Sequence, residues 1–522
     1  MSALDRRRFL RGAGVAAAVG VAGLVGTEIL QGSASAAVIE PTFNINPFQF
    51  GVASSPLRNV IWTRLAILPL ARDGRAGMPD GDIPVRWKVA RNRDGSGVLA
   101  EGTAYALSRN GHSARVEVAA LPQATAVFYW FEYGNWRSTV GRLKTAPAAN
   151  SNPSAMTAAV ISCANFEHGF FHCYEHIADH EVDVVIATGD FTYADSYNPG
   201  YGSKARSHLP AGECFTLADY RLRHSQYRAD RQEQAMRAST GMVLTLDDHE
   251  VDDDWAGSTP DYLEDGAANS GPGTFWERRH NALQAHWENT PLPFMMKPAR
   301  SLMPNSYQTL QWGRLTDFHL LDTRQFRSRQ DKWRRNEENR YMLGPDQLSA
   351  LGRSYRGARW DLLVNQVVMA HWVNGGPGTE KASDSWDGYR AERRRVVRQW
   401  IDKEVANPVV LTGDVHFGGA DSVVEALVER LDTRAPEIIS SSITSGGDLE
   451  GDWYELEDAL NYLPLHMYHR RRGWTKLDIN SQRIHVQWRG TEVVSARAAQ
   501  PDRIFQSADI IAGQHNFSNT SW

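Results

Sequence analysis

Four separate runs of this chain are apolar, and each leads into residues that bind metal ions. Val182-Asp183-Val184-Val185-Ile186-Ala187-Thr188 runs into Gly189-Asp190-Phe191-Thr192-Tyr193, and Thr157-Ala158-Ala159-Val160-Ile161-Ser162 ends in Cys163. Met242-Val243-Leu244-Thr245-Leu246 runs into Asp247-Asp248-His249-Glu250, and Val409-Val410-Leu411-Thr412 into Gly413-Asp414-Val415-His416. Short unbroken apolar runs, with no room for a solvent face, read as buried strands. In an open α/β sheet, chemistry collects where parallel strands end at their carboxyl side. One Gly-Asp exit alone is ordinary turn chemistry, because both residues are common in turns. Four such exits are most simply read as ligands converging on one metal cluster. Aspartate oxygens suit hard cations, and Cys, Tyr and His suit a transition metal.

The chain begins with Asp5-Arg6-Arg7-Arg8-Phe9-Leu10-Arg11-Gly12, then a small-residue apolar stretch to about Val25, then Ala34-Ser35-Ala36. This reads as a twin-arginine signal peptide over residues 1–36. It implies the Tat translocase as a partner during export, and a secreted, periplasmic or cell-envelope location. Asp5 stands where the twin-arginine pattern usually has Ser or Thr. Tat substrates typically fold before export, often with a cofactor loaded, which fits a metalloprotein.

Charge and hydropathy narrow the class. The net charge is −5 with 22% charged residues, and no broad basic field favours nucleic acid. No later run of about 18 apolar residues suggests a permanent membrane span. The 17 Trp read as pocket walls and loop anchors. Cys163, Cys173 and Cys214 make an odd count for an exported protein. With Cys163 a thiolate ligand, Cys173 and Cys214 are free to pair or to stay as buried thiols.

From about Pro47 to Ala146 short strands alternate with glycine-rich turns: Phe48–Ala53, Val60–Leu65, Pro84–Val89 and Val127–Tyr133. Spacing near ten residues suggests a small Ig- or fibronectin-like β-sandwich, placed at 45–147. Thr145 to Pro153 reads as a linker. Beyond it, strands alternate with helices expected over Gly169–His180, Leu217–Thr240 and Ala268–Thr290. Further strands are expected at Leu315–Leu321 and Asp361–Ala370, with alternating strands again at Lys476–Ile479 and Arg483–Trp488. The fold class is α/β (α+β): central β-sheets flanked by helices over 154–515, behind the small sandwich.

The exits Ser162-Cys163, Gly189-Asp190-x-x-Tyr193, Asp247-Asp248-His249-Glu250 and Gly413-Asp414-Val415-His416 resemble those of the PhoD-type alkaline phosphatases and phosphodiesterases, within the calcineurin-like metallophosphoesterases. Trp255-Ala256-Gly257, Leu321-Asp322-Thr323-Arg324, Asn365-Gln366-Val367 and Trp386-Asp387-Gly388-Tyr389 resemble other stretches of that family. Phe50-Gly51-Val52-Ala53-Ser54 and Trp62-Thr63-Arg64-Leu65 resemble its N-terminal β domain. The resemblance implies Fe³⁺ with one or two Ca²⁺, on a four-layered β-α-α-β or sandwich-type core. It implies that Cys163, Asp190, Tyr193 and His416 hold the iron, and that Asp190 bridges to a calcium joined by Asp248 and Asp414. His249 takes the place of the catalytic histidine. Asn165 stands where the family often has an acidic ligand, and Asp195 is a candidate to compensate for the missing charge.

The implied activity is hydrolysis of phosphate mono- or diesters by attack of a metal-activated oxygen nucleophile, with phosphoester small molecules or phospholipid as substrate. A phospholipase-D-type action on phospholipids is the alternative, and a non-catalytic cell-surface module the second. A thiolate and a phenolate suit Fe³⁺, and an acidic residue at Asp414 favours calcium over zinc. Asp190, His249 and Arg324 are the candidate catalytic residues. Arg221, Arg228 and Arg324 are candidates to bind substrate phosphate; otherwise they brace loops and helix ends. His168, His172, His176 and His180 share helical spacing and read as a helix face, not a zinc site. Asp252-Asp253-Asp254 reads as a surface acidic turn.

Overall fold

The computed structural model describes residues 29–31, 34–196, 204–260, 273–331, 333–370, 381–427, 430–448 and 467–521. The paired arginines Arg6-Arg7 and the apolar stretch after them lie outside the described residues. Just beyond, Ile29–Gln31 pairs antiparallel with Ser113–Val118, and Ser35 and Ala36 donate their backbone N–H groups to Asp82.

In the N-terminal part, Ile29–Gln31, Ser113–Val118, Val60–Arg64 and Val52–Ser55 form one antiparallel sheet. Val98–Ala106, Ile83–Ala90 and Ala126–Tyr133 form a second, with Trp136–Arg137 and Gly141–Lys144 against Ala126–Tyr133. Successive strand residues face opposite sides, so Ile83, Val85, Trp87 and Val89 all point inward. They join Val52, Ile61 and Val116 of the other sheet in one apolar cluster.

The described residues beyond the linker form two seven-stranded sheets. In the first, Gly241–Leu244, Val184–Ala187 and Ala155–Ile161 are parallel. Arg472–Asn480, Arg483–Thr491, Arg503–Ile511 and Phe517–Ser521 then add antiparallel, so the sheet continues past residue 515. In the second, Thr316–Leu320, Trp360–Val364, Pro408–Thr412 and Arg430–Ile439 are parallel. Gln308–Trp312, Gly418–Leu427 and Met467–His469 complete it antiparallel.

Alternation within the unbroken apolar runs sets the layers. Ala158, Val160, Val184 and Ile186 face Leu362, Val364, Val409 and Leu411 of the other sheet. Their neighbours Ala159, Val185 and Ala187 face the outer helices His172–Asp179, Leu217–Arg228 and Phe275–Glu288. On the far side Leu363 and Val410 meet Gly344–Ser354 and Arg390–Asp402. The order is therefore α-β-β-α, with the sheets inside, and the β-α-α-β order is corrected.

Other expectations shift for local reasons. The helix expected over 217–240 is two, Leu217–Arg228 and Arg231–Ser239. Asp230 caps the second by accepting the N–H groups of Gln232 and Glu233. The helix expected from Gly169 starts at His172, and the one expected from Ala268 is described over Phe275–Glu288. The strand expected over Asp361–Ala370 is Trp360–Val364. The tryptophans are mainly core rather than loop anchors: Trp62, Trp87, Trp312, Trp360, Trp474 and Trp488 are fully buried on strands. Among the described residues no helix is long and apolar enough to cross a membrane.

Candidate metal centre

All four apolar runs deliver their exits to one end of the sheet pair, and the backbone there is unusual. Cys163, Asp190, Asp414 and His416 adopt positive φ of 53°, 55°, 69° and 57°. Non-glycine residues in that region cost about 1–3 kcal/mol each and persist only where the surroundings impose them. The glycines beside them follow from close approach. A Cβ on Gly189, itself at φ 127°, would lie 2.4 Å from Asp247 Cβ, and one on Gly413 would lie 2.3 Å from Ser162 Oγ. The Gly-Asp pairs let strand ends from both sheets meet while turning the aspartates to a common point.

Among the described residues four groups of ligand atoms lie there, each with its members within 4.8 Å of one another: Cys163, Asp190 and His416; Asp190, Asp248 and His249; Asp247, Asp248 and Asp414; and Asp248, Asp253 and Asp254. Asp190 belongs to the first two and Asp248 to the last three. Tyr193 Oη lies 3.2 Å from Asp190 Oδ2 and 3.3 Å from His416 Nε2, which adds a phenol to the first group.

The electrostatics call for added positive charge. Asp190, Asp247, Asp248 and Glu250 are all at least 98% buried. Burial pushes the Asp190 carboxyl well above its usual range, with Asp248 and Asp247 adding repulsion. Asp247 is pushed up to about 6 and Glu250 to about 7, again chiefly by burial. Burial and then the Asp190 charge raise both the Cys163 thiol and the Tyr193 phenol. Asp248 Oδ1 is buried without a hydrogen-bond partner. Crowded carboxylates, a buried acceptor without a hydrogen bond, a thiol and a phenol form a set that a cation completes.

The four consecutive residues at Asp247 have four different jobs. Asp247 receives Arg324 Nε at 2.5 Å, and Asp248 faces the centre. His249 stacks on the Tyr193 ring at 4.2 Å between centroids, and its Nδ1 is 2.5 Å from Asp195 Oδ2. Glu250 turns inward and accepts the N–H groups of Asp190, Phe191 and Asp247 at 3.2, 2.5 and 2.9 Å, tying two exits together.

Several sequence expectations change here. Asp195 partners His249 instead of supplying a missing ligand. Asn165 Oδ1 accepts the backbone N–H of Glu167 at 2.9 Å in a local turn, which fixes the amide and leaves the oxygen's second lone pair. Arg324 is fully buried, with Nη1 2.9 Å from Asp384 and Nη2 3.4 Å from Asp248, so its guanidinium is committed to these carboxylates. Arg221 is bidentate on Glu288 at 2.7 Å, and Arg228 pairs with Glu233 at 2.9 Å. Asp252 is no surface residue: it is buried against Arg278 at 2.8 Å. His172, His176 and His180 face the C-terminal tail, bonding Ala496 O, Gln500 O and Asp502. All three cysteines are free and buried.

Two β-sheets carrying carboxylates, a thiol, a phenol and imidazoles at their shared end define a phosphoester hydrolase centre built to hold metal ions. Models of known families place the chain more narrowly. Residues 158–488 match the PhoD-like phosphatase model, and 32–147 match the model of the PhoD-like phosphatase N-terminal domain. Alkaline phosphatase D of Bacillus subtilis (strain 168) is 35% identical over 508 residues, covering 93% of this chain and 84% of that one. A solved structure of PhoD superposes with a TM-score of 0.82 at 32% identity, over 92% of this chain and 93% of that one. The chain belongs to the PhoD-like phosphatase family and is a phosphoester hydrolase. The non-catalytic surface module falls with that finding.

Proposed function

We propose that the chain is an exported phosphatase/phosphodiesterase with a mixed iron–calcium centre. In this reading Cys163, Asp190, Tyr193 and His416 hold Fe³⁺, and Asp190, Asp248 and Asp414 hold Ca²⁺. The observation that carries it is that Asp190 lies in one group with Cys163 and His416, with Tyr193 Oη beside it, and in another with Asp248, which in turn clusters with Asp247 and Asp414. An amide at Asn165 in place of a carboxylate lowers the site charge by one, which favours one calcium over two. When bound, the ions supply a more acidic water and neutralise charge on the phosphoryl oxygens.

The chain's own residues do the rest. Asp195 holds His249 through Nδ1, which leaves Nε2 facing the open side near Asp253 Oδ1 at 3.9 Å. Burial opposes the imidazolium, but Asp195, Asp248 and Asp190 outweigh it and hold its pKa well above the usual value. In this reading His249, held by Asp195, donates a proton to the leaving oxygen, a role worth roughly 10²–10⁴-fold. Arg324 and Glu250 act as positioning residues, one holding Asp247 and Asp248, the other holding the backbone of the Asp190 exit.

The N-terminal sheets are read as an Ig/fibronectin-like sandwich over 45–147, the catalytic domain as 154 onward, and residues 1–36 as a Tat signal that sends the enzyme to the envelope or beyond. Changing Arg6 and Arg7 to Lys should leave precursor in the cytoplasm; normal secretion would exclude the Tat route. The central test is metal analysis with visible spectroscopy. Phenolate and thiolate on Fe³⁺ give a coloured protein whose band weakens or shifts in Tyr193→Phe. A colourless, iron-free, active enzyme would overturn the iron assignment. A panel of monoester, simple diester and phosphatidylcholine reads out the substrate class.

A further inference from the structure

Each of the two charge-donating ligands has a serine hydroxyl beside it, and neither serine is in the ligand set. Ser162 Oγ lies 2.6 Å from Cys163 Sγ and accepts the backbone N–H of Asp414 at 3.3 Å. Ser445 Oγ lies 2.7 Å from Tyr193 Oη and 2.8 Å from the Cys163 carbonyl oxygen, and accepts the backbone N–H of Asn165 at 3.1 Å. Ser162 is 3% exposed and Ser445 fully buried, so water does not compete for either hydroxyl.

Proton accounting fixes the direction of these bonds. A hydroxyl has one proton to give. In each serine a backbone N–H already occupies an acceptor position, so the hydroxyl proton turns the other way. A thiolate and a phenolate have no proton and can only accept. The Ser162 proton therefore goes to Sγ. The Ser445 proton has two acceptors, and an ionised phenolate outbids a neutral carbonyl because charge-assisted bonds are about twice as strong.

Both hydroxyls are held in place. Ser445 lies in Ser440-Ser441-Ser442-Ile443-Thr444-Ser445-Gly446-Gly447, which follows the strand ending at Ile439. Thr444 Oγ1 donates to Asn165 O at 2.7 Å, Ser442 Oγ to Ser445 O at 2.7 Å, and Gly446 N–H to His168 Nδ1 at 3.1 Å. Ile443 N–H bonds Ser162 O at 2.9 Å, which ties the two serines' segments together.

We infer that Ser162 and Ser445 are tuning residues, whose hydroxyls withdraw electron density from Cys163 Sγ and Tyr193 Oη and so set how strongly these ligands donate. The inference rests on the ferric reading proposed above. Hydrogen bonds around a ligating sulfur or oxygen are a recognised control on potential and on Lewis acidity. Weaker donation leaves a ferric ion more strongly Lewis acidic towards the phosphoryl oxygens. The pair would balance two ligands otherwise donating enough to blunt that acidity.

The test uses the iron-loaded enzyme as purified, with Ser445→Ala, Ser162→Ala and the double variant. Iron content, visible absorption and reduction potential are measured on each. With iron retained, Ser445→Ala should move the phenolate band to longer wavelength and leave the thiolate band in place, and Ser162→Ala should do the reverse. Each should lower the reduction potential, with the double variant close to the sum of the two. Bands and potential unmoved at full iron content would overturn the inference and make both serines purely structural, while the ferric reading stood. A wild type with no phenolate or thiolate band would overturn both together. If Ser445→Ala does not fold, the thiolate band of Ser162→Ala decides alone.

Discussion

Two of the places where the described residues bury charge treat it in opposite ways. At the seam between the N-terminal sheets and the catalytic core, arginines are buried together with Glu288. Arg115 donates to Trp287 O at 2.5 Å and Thr290 O at 3.3 Å and lies 3.3 Å from the Trp287 ring. Arg64 donates to Gly111 O, Asn289 Oδ1, Ser225 Oγ and Gly74 O. Trp62 Nε1 reaches Glu288 O at 2.9 Å. Of these partners Trp287 O, Glu288 O, Asn289 Oδ1 and Thr290 O lie at the C-terminal end of the helix Phe275–Glu288, whose last carbonyls lack intrahelical donors and carry partial negative charge. The arginines of the N-terminal sheets meet a helix end and the buried Glu288, so opposite charge there comes from the chain itself. The metal centre differs. Its buried carboxylates crowd one another, and burial with mutual repulsion raises Asp190 and Asp247, which added positive charge would relieve.

The largest effect should come from the shared ligand. Asp190→Ala should lose metal and nearly all phosphoesterase activity. An interaction of several kcal/mol, at about 1.4 kcal/mol per tenfold, is roughly 10³-fold or more. The same change removes a carboxyl from a crowded buried set, so the metal-free variant should melt above metal-free wild type. A metal-free variant that melts lower would mean the carboxylates are balanced without ions, and the contrast with the seam would break.

The seam should respond without reference to metal. Arg115→Ala removes two charge-assisted hydrogen bonds and the stack on Trp287, and should destabilise by about 2–4 kcal/mol. Denaturant titrations with and without chelator should show the same loss. A loss that appears only in the chelated protein would join the two regions into one electrostatic unit.

Chelation should also expose a pH dependence. Asp247 and Glu250 have folded-state values of about 6 and 7, raised above an ordinary carboxyl near ~4. Groups raised in the fold favour the folded state while protonated, and that contribution is lost as pH rises through the folded value. The gap in denaturation midpoint between loaded and metal-free protein should therefore widen from about pH 4 to about pH 7. A gap constant over that range would show that these carboxyls are not strained without ions.

What could be read from the sequence divides along the same line. The strand exits were legible because a ligand and its strand are neighbours in the chain: Val184 to Asp190 is one local pattern. The unbroken runs announced strands covered on both faces, but Ala158 and Ala159 look alike in sequence, and only the fold says which meets a sheet and which a helix. Arg324 looked like a phosphate-binding arginine, because a guanidinium free for phosphate and one committed to carboxylates look the same in sequence. Ser445 and Tyr193 are 252 residues apart, and Asp195 and His249 are 54 apart. No local spacing encodes such pairs.

The smallest predicted effect concerns the one place where the centre supplies its own counter-ion. Asp195 and His249 are joined at 2.5 Å, so this carboxylate has its cation from the chain itself. Asp195→Asn should therefore keep metal content, unlike Asp190→Ala. It removes the charge that fixes the ring and favours the imidazolium, while the stack on Tyr193 still limits how far the ring can move. Loss of such an orienting partner typically costs about 10–100-fold. The loss should be largest on esters of high-pKa alcohols, which need a proton on the leaving oxygen. It should nearly vanish on a nitrophenyl ester, which departs as an anion. His249→Ala should show the same pattern with a larger loss, and the double variant should be no slower than His249→Ala, because Asp195 acts through the ring. Equal losses on both esters with metal retained would exclude leaving-group protonation and make the pair a phosphate-binding device. Metal loss in Asp195→Asn would place this carboxylate among the ligands, with those that need ions from outside.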